Sequence, residues 1–264
     1  ATDEHWNVRY AAIQALASNY KDDPETKTFL QQCATDEHWN VRFTAIQALA
    51  RNYKDDPETK TFLQQHATDE HWNVRYAAIK ALAINYKDDP ETKTILQQCA
   101  SDNNNDMRRA AIQVLAMHYK DDPETKTILQ QCASDNDNDV RHIAIQGLAI
   151  NYKDDPETKT ILQQRASDDS AGVRRAAIQA LAKHYKNQPE LFDIYYNCAV
   201  NDPCESGDIL NENPRRIALE IIIKQYPQYP QTLPLLRDKA ANDPDEEVRE
   251  YAQNILKWWG EEKE

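Results

Sequence analysis

From Val8 onward, apolar side chains fall at Ala12, Ala15 and Leu16, with Ile13, Ala17 and Tyr20 widening the stripe. Such offsets gather on one face of a helix. Polar residues take over through Asn19-Tyr20-Lys21-Asp22, and a second apolar edge follows at Phe29, Leu30 and Cys33. The spacing predicts two antiparallel helices joined by a tight connection. The first starts near His5, where later copies of the pattern hold Asn104, Asp137 and Ser170. Short polar side chains accept a bond from the free N–H groups at a helix start; His is a weaker choice. The second begins at Asp23-Pro24-Glu25. Asp caps it, Pro lacks only an N–H that would be unpaired anyway, and Glu suits the positive helix end.

The pattern recurs every 33 residues. Residues 34–66 differ from residues 1–33 at four positions, and residues 67–99 at three. Residues 100–132 and 133–165 keep the frame without the His-Trp pair, and a sixth copy starts at Ala166 and diverges after Tyr185. A fixed period of this size means stacked supersecondary units. Each copy carries Val-Arg or its equivalent: Val8-Arg9, Val41-Arg42, Val74-Arg75, Met107-Arg108, Val140-Arg141 and Val173-Arg174. The Arg and the Asp five residues before the Val form a ladder, Asp3/Arg9 through Asp168/Arg174. It reads either as an ion-pair and hydrogen-bond ladder between neighbouring repeats or as a charged binding stripe.

The last third breaks the period. Val173 aligns with Pro214, 41 residues on, which puts Arg215-Arg216 under Arg174-Arg175 and Tyr226 under Tyr185. Eight extra residues therefore sit within 201–213 and read as an extended loop. An apolar helix follows over 217–226, and Pro230 and Thr232 repeat the Pro24 and Thr26 positions. A last helix runs from about Asp245 to Trp258-Trp259 and stops at Gly260. With the charged tail 261–264 it reads as a cap, which a stack needs because each repeat exposes an apolar face to the next. Ala1 enters directly into an ordinary repeat, so the natural protein is expected to continue upstream.

Ankyrin repeats need a TPLH-type turn and glycines, and tetratricopeptide repeats need a Trp, Leu-Gly and Tyr pattern; neither is present. The pattern DxxxxVRxxAIxALA, with Asp-Pro opening the second helix, resembles short HEAT-type repeats. The stretch NENPRRIALEIIIKQYPQYPQTLPLLRDKAANDPDEEVREYAQNIL and the repeated VRxxAIQALAxxYKDDPETKTxL resemble the HEAT-type tails of bacterial NACHT-family STAND NTPases. The resemblance spans essentially the whole chain. It implies an upstream NACHT module that binds and hydrolyses ATP, with this chain as its sensor or autoinhibitory platform. No GxxxxGK[ST] pattern occurs, so that module's residues map to no position here.

Composition narrows the chemistry. Only 4 glycines in 264 residues disfavour phosphate-cradling loops and dinucleotide folds, and the net charge of −13 disfavours nucleic acid. No apolar run approaches about 18 residues, so no membrane span is expected. No signal segment opens the chain, and reduced cysteines fit a cytoplasmic setting.

His5-Trp6, His38-Trp39 and His71-Trp72 open the first helix of three successive repeats. The Trp rings read as a ladder at helix spacing, about 8–10 Å, that grips a peptide or other extended ligand, or as covers of the seam between repeats. Two first-helix positions vary on a fixed background: Tyr10, Phe43, Tyr76, Arg109, His142, Arg175, and Ser18, Arg51, Ile84, Met117, Ile150, Lys183. They read as a tunable binding face or as tolerant exposed positions. Cys33, Cys99 and Cys132 share one repeat position with His66 and Arg165 and read as small buried hydrophobes. Cys198 and Cys204 flank the start of the insertion. No spacing suggests a catalytic set, a metal site or a cofactor.

The expected fold is all-α, a right-handed α-solenoid of helical hairpins. Six tandem repeats fill residues 1–200, and the inserted loop, a divergent seventh repeat and the capping helix fill 201–264 as one continuous solenoid. The expected role is non-catalytic recognition of a protein or peptide at His5, Trp6, His38, Trp39, His71, Trp72, Tyr10, Phe43 and Tyr76, as the tail of a NACHT-type NTPase. A free-standing HEAT scaffold, a bilin-lyase-like accessory protein and an engineered array are the other readings.

Overall fold

The Asp-Pro-Glu segments open helices as their chemistry requires. In the computed structural model, which describes residues 3–204 and 213–260, Asp23 accepts from the Glu25 N–H at 2.9 Å and Pro24 is the first helical residue. Asn104 and Asp137 cap their helices as expected. His38 and His71 also act as caps, their Nδ1 atoms accepting from the Asn40 and Asn73 N–H groups at 3.3 Å. The inserted loop falls largely on residues 205–212, and the charged tail is 261–264; both lie outside the described residues.

The helices group into two compact units, Ala1–Ile128 and Leu129–Glu264. The first contains α1 (Trp6–Asn19), α2 (Pro24–Cys33), α3 (Trp39–Asn52), α4 (Pro57–His66), α5 (Trp72–Asn85), α6 (Pro90–Cys99) and α7 (Asn105–His118), and ends within α8 (Pro123–Cys132). The first helices of successive repeats, α1, α3, α5 and α7, pack side by side, while α2, α4 and α6 each pack on the next first helix. The second unit contains α9 (Asn138–Asn151), α10 (Pro156–Arg165) and α11 (Ala171–His184). A short 3-10 turn, Pro189–Leu191, leads into α12 (Phe192–Asn201). Then come α13 (Pro214–Gln225), α14 (Thr232–Asn242) and α15 (Glu246–Trp258). There α9, α11, α13 and α15 form the corresponding row. All regular elements among the described residues are helical, and the stacked hairpins make the fold an all-α solenoid.

The ladder ties neighbouring repeats, as the first of the two sequence readings expects, with each Arg pairing with the Asp carboxylate of the next repeat. Arg42 donates Nε and Nη2 to the two carboxylate oxygens of Asp69, in the next repeat, both at 2.9 Å. Its Nη1 donates to the backbone carbonyls of Asp36 and Glu37, at 2.9 and 3.1 Å, and Nη2 also reaches Glu70 at 3.0 Å. All five guanidinium N–H donors are thereby used. The Asp of the same repeat thus contributes its carbonyl, and its carboxylate turns to the preceding Arg. In the first unit Arg9–Asp36 and Arg75–Asp102 repeat this geometry. In the second, Arg141–Asp168 and Arg174–Asp202 do so, while Arg215 reaches both oxygens of Asp243 through Nε alone. Arg215 occupies the position that aligns with Arg174 across the insertion.

The apolar stripe of α3, which has first helices on both sides, is buried along its whole length. Val41, Ala45, Ile46 and Leu49 of α3 are fully buried. In α1, which packs against α3, Ile13 and Ala17 are buried, but Val8 is 47% exposed. At the other end, Ile255, Leu256 and Trp259 pack against Leu236, Ala240 and Ala252. Gly260 follows α15 with φ 77°, the left-handed conformation that suits glycine after a helix.

The rungs predict an acid dependence. Burial pushes the Asp36, Asp69 and Asp168 carboxyls up, but hydrogen bonds from Arg9, Arg42 and Arg141 and from backbone N–H groups outweigh it and hold all three below the ordinary value. Asp168 is brought to about 2. A carboxyl lowered by folding stabilises the native state fully above its unfolded pKa, about 3.9, and loses that contribution as pH falls through the folded value. Urea midpoints should therefore hold steady down to about pH 4 and drop steeply toward pH 2. A midpoint unchanged across that window would contradict the ladder's role.

Candidate functional site

Two features meet on the first unit: an aromatic column at the helix starts and a groove along the helix flanks. The column alternates rings from successive repeats. Trp6 stacks on His38 with centroids 4.4 Å apart, and Trp39 stacks on His71 at 4.3 Å, both at an interplanar angle of 1°. Within each pair, His38 and Trp39 lie 6.0 Å apart, and His71 and Trp72 lie 6.4 Å apart. A histidine thus sits between consecutive tryptophans, and Trp6 and Trp39 each cover the seam to the next repeat by stacking on its histidine. The next repeat holds Asn104 at the histidine position, so the column stops at Trp72.

The cap bonds fix the tautomer. Because Nδ1 of His38 and His71 accepts from the backbone, the neutral ring carries its proton on Nε2. Burial, aided by the Arg42 and Arg75 guanidiniums, holds His71 below the ordinary imidazole value, so it stacks as a neutral ring at pH 7. A recess of about 300 Å³ beside the column is lined by Glu37, His38, Trp39, Arg42, Glu70 and His71. His5 is exposed and its ring makes no cap bond.

Trp6 meets Tyr10 edge-on, with centroids 6.5 Å apart. Tyr10, Phe43 and Tyr76 are half-buried on the flank of the first helices, one turn from the column. From there a groove of about 550 Å³ runs across α1, α3 and α5. Ile13, Ala17, Ala48 and Ala81 are buried residues of its lining, and Gln14, Gln47, Arg51, Lys80 and Ile84 are exposed ones. Tyr76 lines it; Tyr10 and Phe43 occupy the same repeat position in α1 and α3. The predicted residues therefore divide between the column and the groove flank. Sequence reasoning missed Gln14, Thr44, Lys54 and Lys80. The signal that finds three of them is internal: among the three nearly identical repeats, the first helix differs only at positions 10, 11, 14 and 18 and their equivalents. Each of those positions supplies at least one lining residue, namely Tyr76, Thr44, Lys80 and Ile84.

Other candidate chemistry is quiet. Burial pushes the Cys33 and Cys99 thiols up to about 11 and the Cys198 thiol up to about 12. They therefore remain protonated and poorly nucleophilic at neutral pH. Neither Cys198 nor Cys204 is in a disulfide. Among the described residues no group of three or more His, Cys, Asp or Glu side chains is arranged to hold a metal ion, and no helix is long and apolar enough to cross a membrane.

Helical hairpins in register, tied by a repeated Arg–Asp rung and grooved along their first helices, define an α-helical repeat protein. A family model for HEAT repeats matches residues 1–83, 59–149 and 125–194, and the chain belongs to that family. Among solved structures, YibA of E. coli is similar at a TM-score of 0.58 with 18% identity, covering 97% of this chain and 98% of that one. A chain of the Pds5–Scc1 complex is similar at 0.56 with 10% identity, covering 97% of this chain and 47% of that one. A chain of the complex of Kap95p with RanGDP is similar at 0.56 with 16% identity, covering 97% and 40%. These likenesses are of fold. A search of curated proteins found no match.

The column's contribution to stability is measurable. Trp39→Ala removes stacking on both His38 and His71 and should destabilise the first unit by about 2 kcal/mol in urea unfolding. A loss below about 0.5 kcal/mol would mean that the stack contributes nothing beyond ordinary surface contact.

Proposed function

We propose that the chain is a non-catalytic recognition platform that takes a protein or peptide partner on the groove across α1, α3 and α5. One observation carries this reading: variation among the first three repeats is selective. Exposure alone does not produce it. The exposed positions Lys21, Asp22, Glu25, Thr28 and Gln32 are identical in all three copies, as Lys54, Asp55, Glu58, Thr61 and Gln65 illustrate for the second. The first helices differ only where they face the groove; the two remaining differences, Phe29/Phe62/Ile95 and Cys33/His66/Cys99, lie on the partly or fully buried side of the second helix. A scaffold held constant while its groove changes is the pattern that serves recognition.

Two observations support a macromolecular partner. Kap95p binds RanGDP and Pds5 forms a complex with Scc1, both with chains of this fold. The groove is open and elongated, and Ile84 beside it is 67% exposed, an apolar surface that a partner would cover. His38, Trp39, His71 and Trp72, with Tyr10, Phe43 and Tyr76 linking them to the groove, form the flank of the same surface. In the full-length protein this platform is the cytoplasmic sensor or autoinhibitory tail of an upstream NACHT-type NTPase, a reading supported by the resemblance of residues 211–256 and of the repeat core to such tails.

Site-specific photo-crosslinking tests the surface. A crosslinking side chain at Ile84, in the groove, should capture the partner in the source cells, and the same group at Thr94, exposed on α6, should not. Equal capture at both positions would reject the groove as the recognition face.

A further inference from the structure

The groove is cationic in an acidic protein. Its charged lining residues are Arg51, Lys54 and Lys80, and no carboxylate lines it, although the chain carries a net charge of −13. Among the described residues none of the three makes an ion pair. Arg51 donates to the Asn52 side chain at 3.3 Å, and the Lys80 ammonium lies 5.8 Å over the Tyr76 ring. Other lysines of the same unit are neutralised: Lys27 by Asp56 and Glu58, Lys60 by Asp89, and Lys93 by Asp122. The recess beside the aromatic column, by contrast, is lined by Glu37 and Glu70, and its Arg42 is already engaged by Asp69.

Apolar surface accompanies the charge. Ile84 is 67% exposed, and Met117, at the same repeat position of α7, is 63% exposed. A large apolar side chain, Ile84, left in water beside these cations matches a ligand that brings both apolar groups and negative charge.

From this, and resting on the recognition reading above, we infer that the groove binds an acidic amphipathic peptide segment of a partner protein. Its carboxylates meet Arg51, Lys54 and Lys80, and its apolar side chains cover Ile84 and the alanines of the groove floor. Uncharged peptides lack the complement to the three cations, and basic ones are repelled by them. The protein's overall charge works against acidic ligands, so their selection would report the local field of the groove.

The test is a selection of random peptides of about 12 residues, displayed on phage, against the full chain at low salt. Enriched peptides are then measured by fluorescence anisotropy on the wild type, on the triple charge reversal R51E/K54E/K80E and on Ile84→Asp. All four positions are exposed, so the variants should fold as the wild type does, which their thermal melts check. The expected result is enrichment of net-negative peptides containing Leu, Ile or Phe, bound roughly tenfold or more weakly by the charge reversal and also weakened by Ile84→Asp. Enriched peptides that are neutral or basic yet lose binding on Ile84→Asp would overturn the acidic-ligand inference and leave the groove as a recognition site. A selection yielding no peptide sensitive to either variant would overturn both.

Discussion

The guanidinium of one repeat and the carboxylate of the next set the frame on which everything else rests. Arg42 spends all five donors at once, on the Asp69 carboxylate, on Glu70 and on two carbonyls of its own helix entry. Asp69 in turn accepts the His71 N–H at 2.8 Å. One rung therefore fixes the turn of its own repeat, the turn of the next and the distance between them. Both partners are nearly buried, so an Arg without its Asp would leave an uncompensated charge, which costs several kcal/mol. Register follows from that cost, because sliding one repeat against another breaks each rung.

Secondary ladders follow the same logic with weaker groups. The Tyr86 hydroxyl donates to the Lys54 carbonyl at 2.5 Å, and Asn85 donates to the Ala50 carbonyl at 3.0 Å. The side chains that lock neighbours together thus sit at the helix starts, helix ends and turns. What remains free to change is the flank of the first helix between those ends. Thr44, Lys80, Arg51 and Ile84 lie on that flank, and they change a groove without disturbing a rung.

The repeat, the hairpin and the helix ends were legible in the sequence because each has a local cause. Period-33 identity, the apolar offsets and Asp-Pro-Glu need no knowledge of distant residues. The rungs were half legible. Arg and Asp recur together, but which Asp meets which Arg depends on how repeats stack, so the carboxylate partner appeared only in three dimensions. The His–Trp column was legible only as tryptophans, either in a ladder or over the seam between repeats; His38 neighbours Trp39 in sequence, and the fold slides it beneath Trp6, across that seam. Val8 shows the limit of pattern reading, since its equivalents Val41 and Val74 are fully buried and it is not. The groove was legible only in part, through positions 10 and 18; Lys54 is identical in every early repeat and gave no signal.

A double-mutant cycle on Arg42 and Asp69 tests the frame most directly. Urea unfolding of Arg42→Met, Asp69→Leu and the double variant yields their coupling energy. A coupling of about 2 kcal/mol or more, with the double variant destabilised by less than the sum of the two single variants, is the predicted result. A coupling near zero would mean that the repeats hold their register without the rung, and would contradict the account.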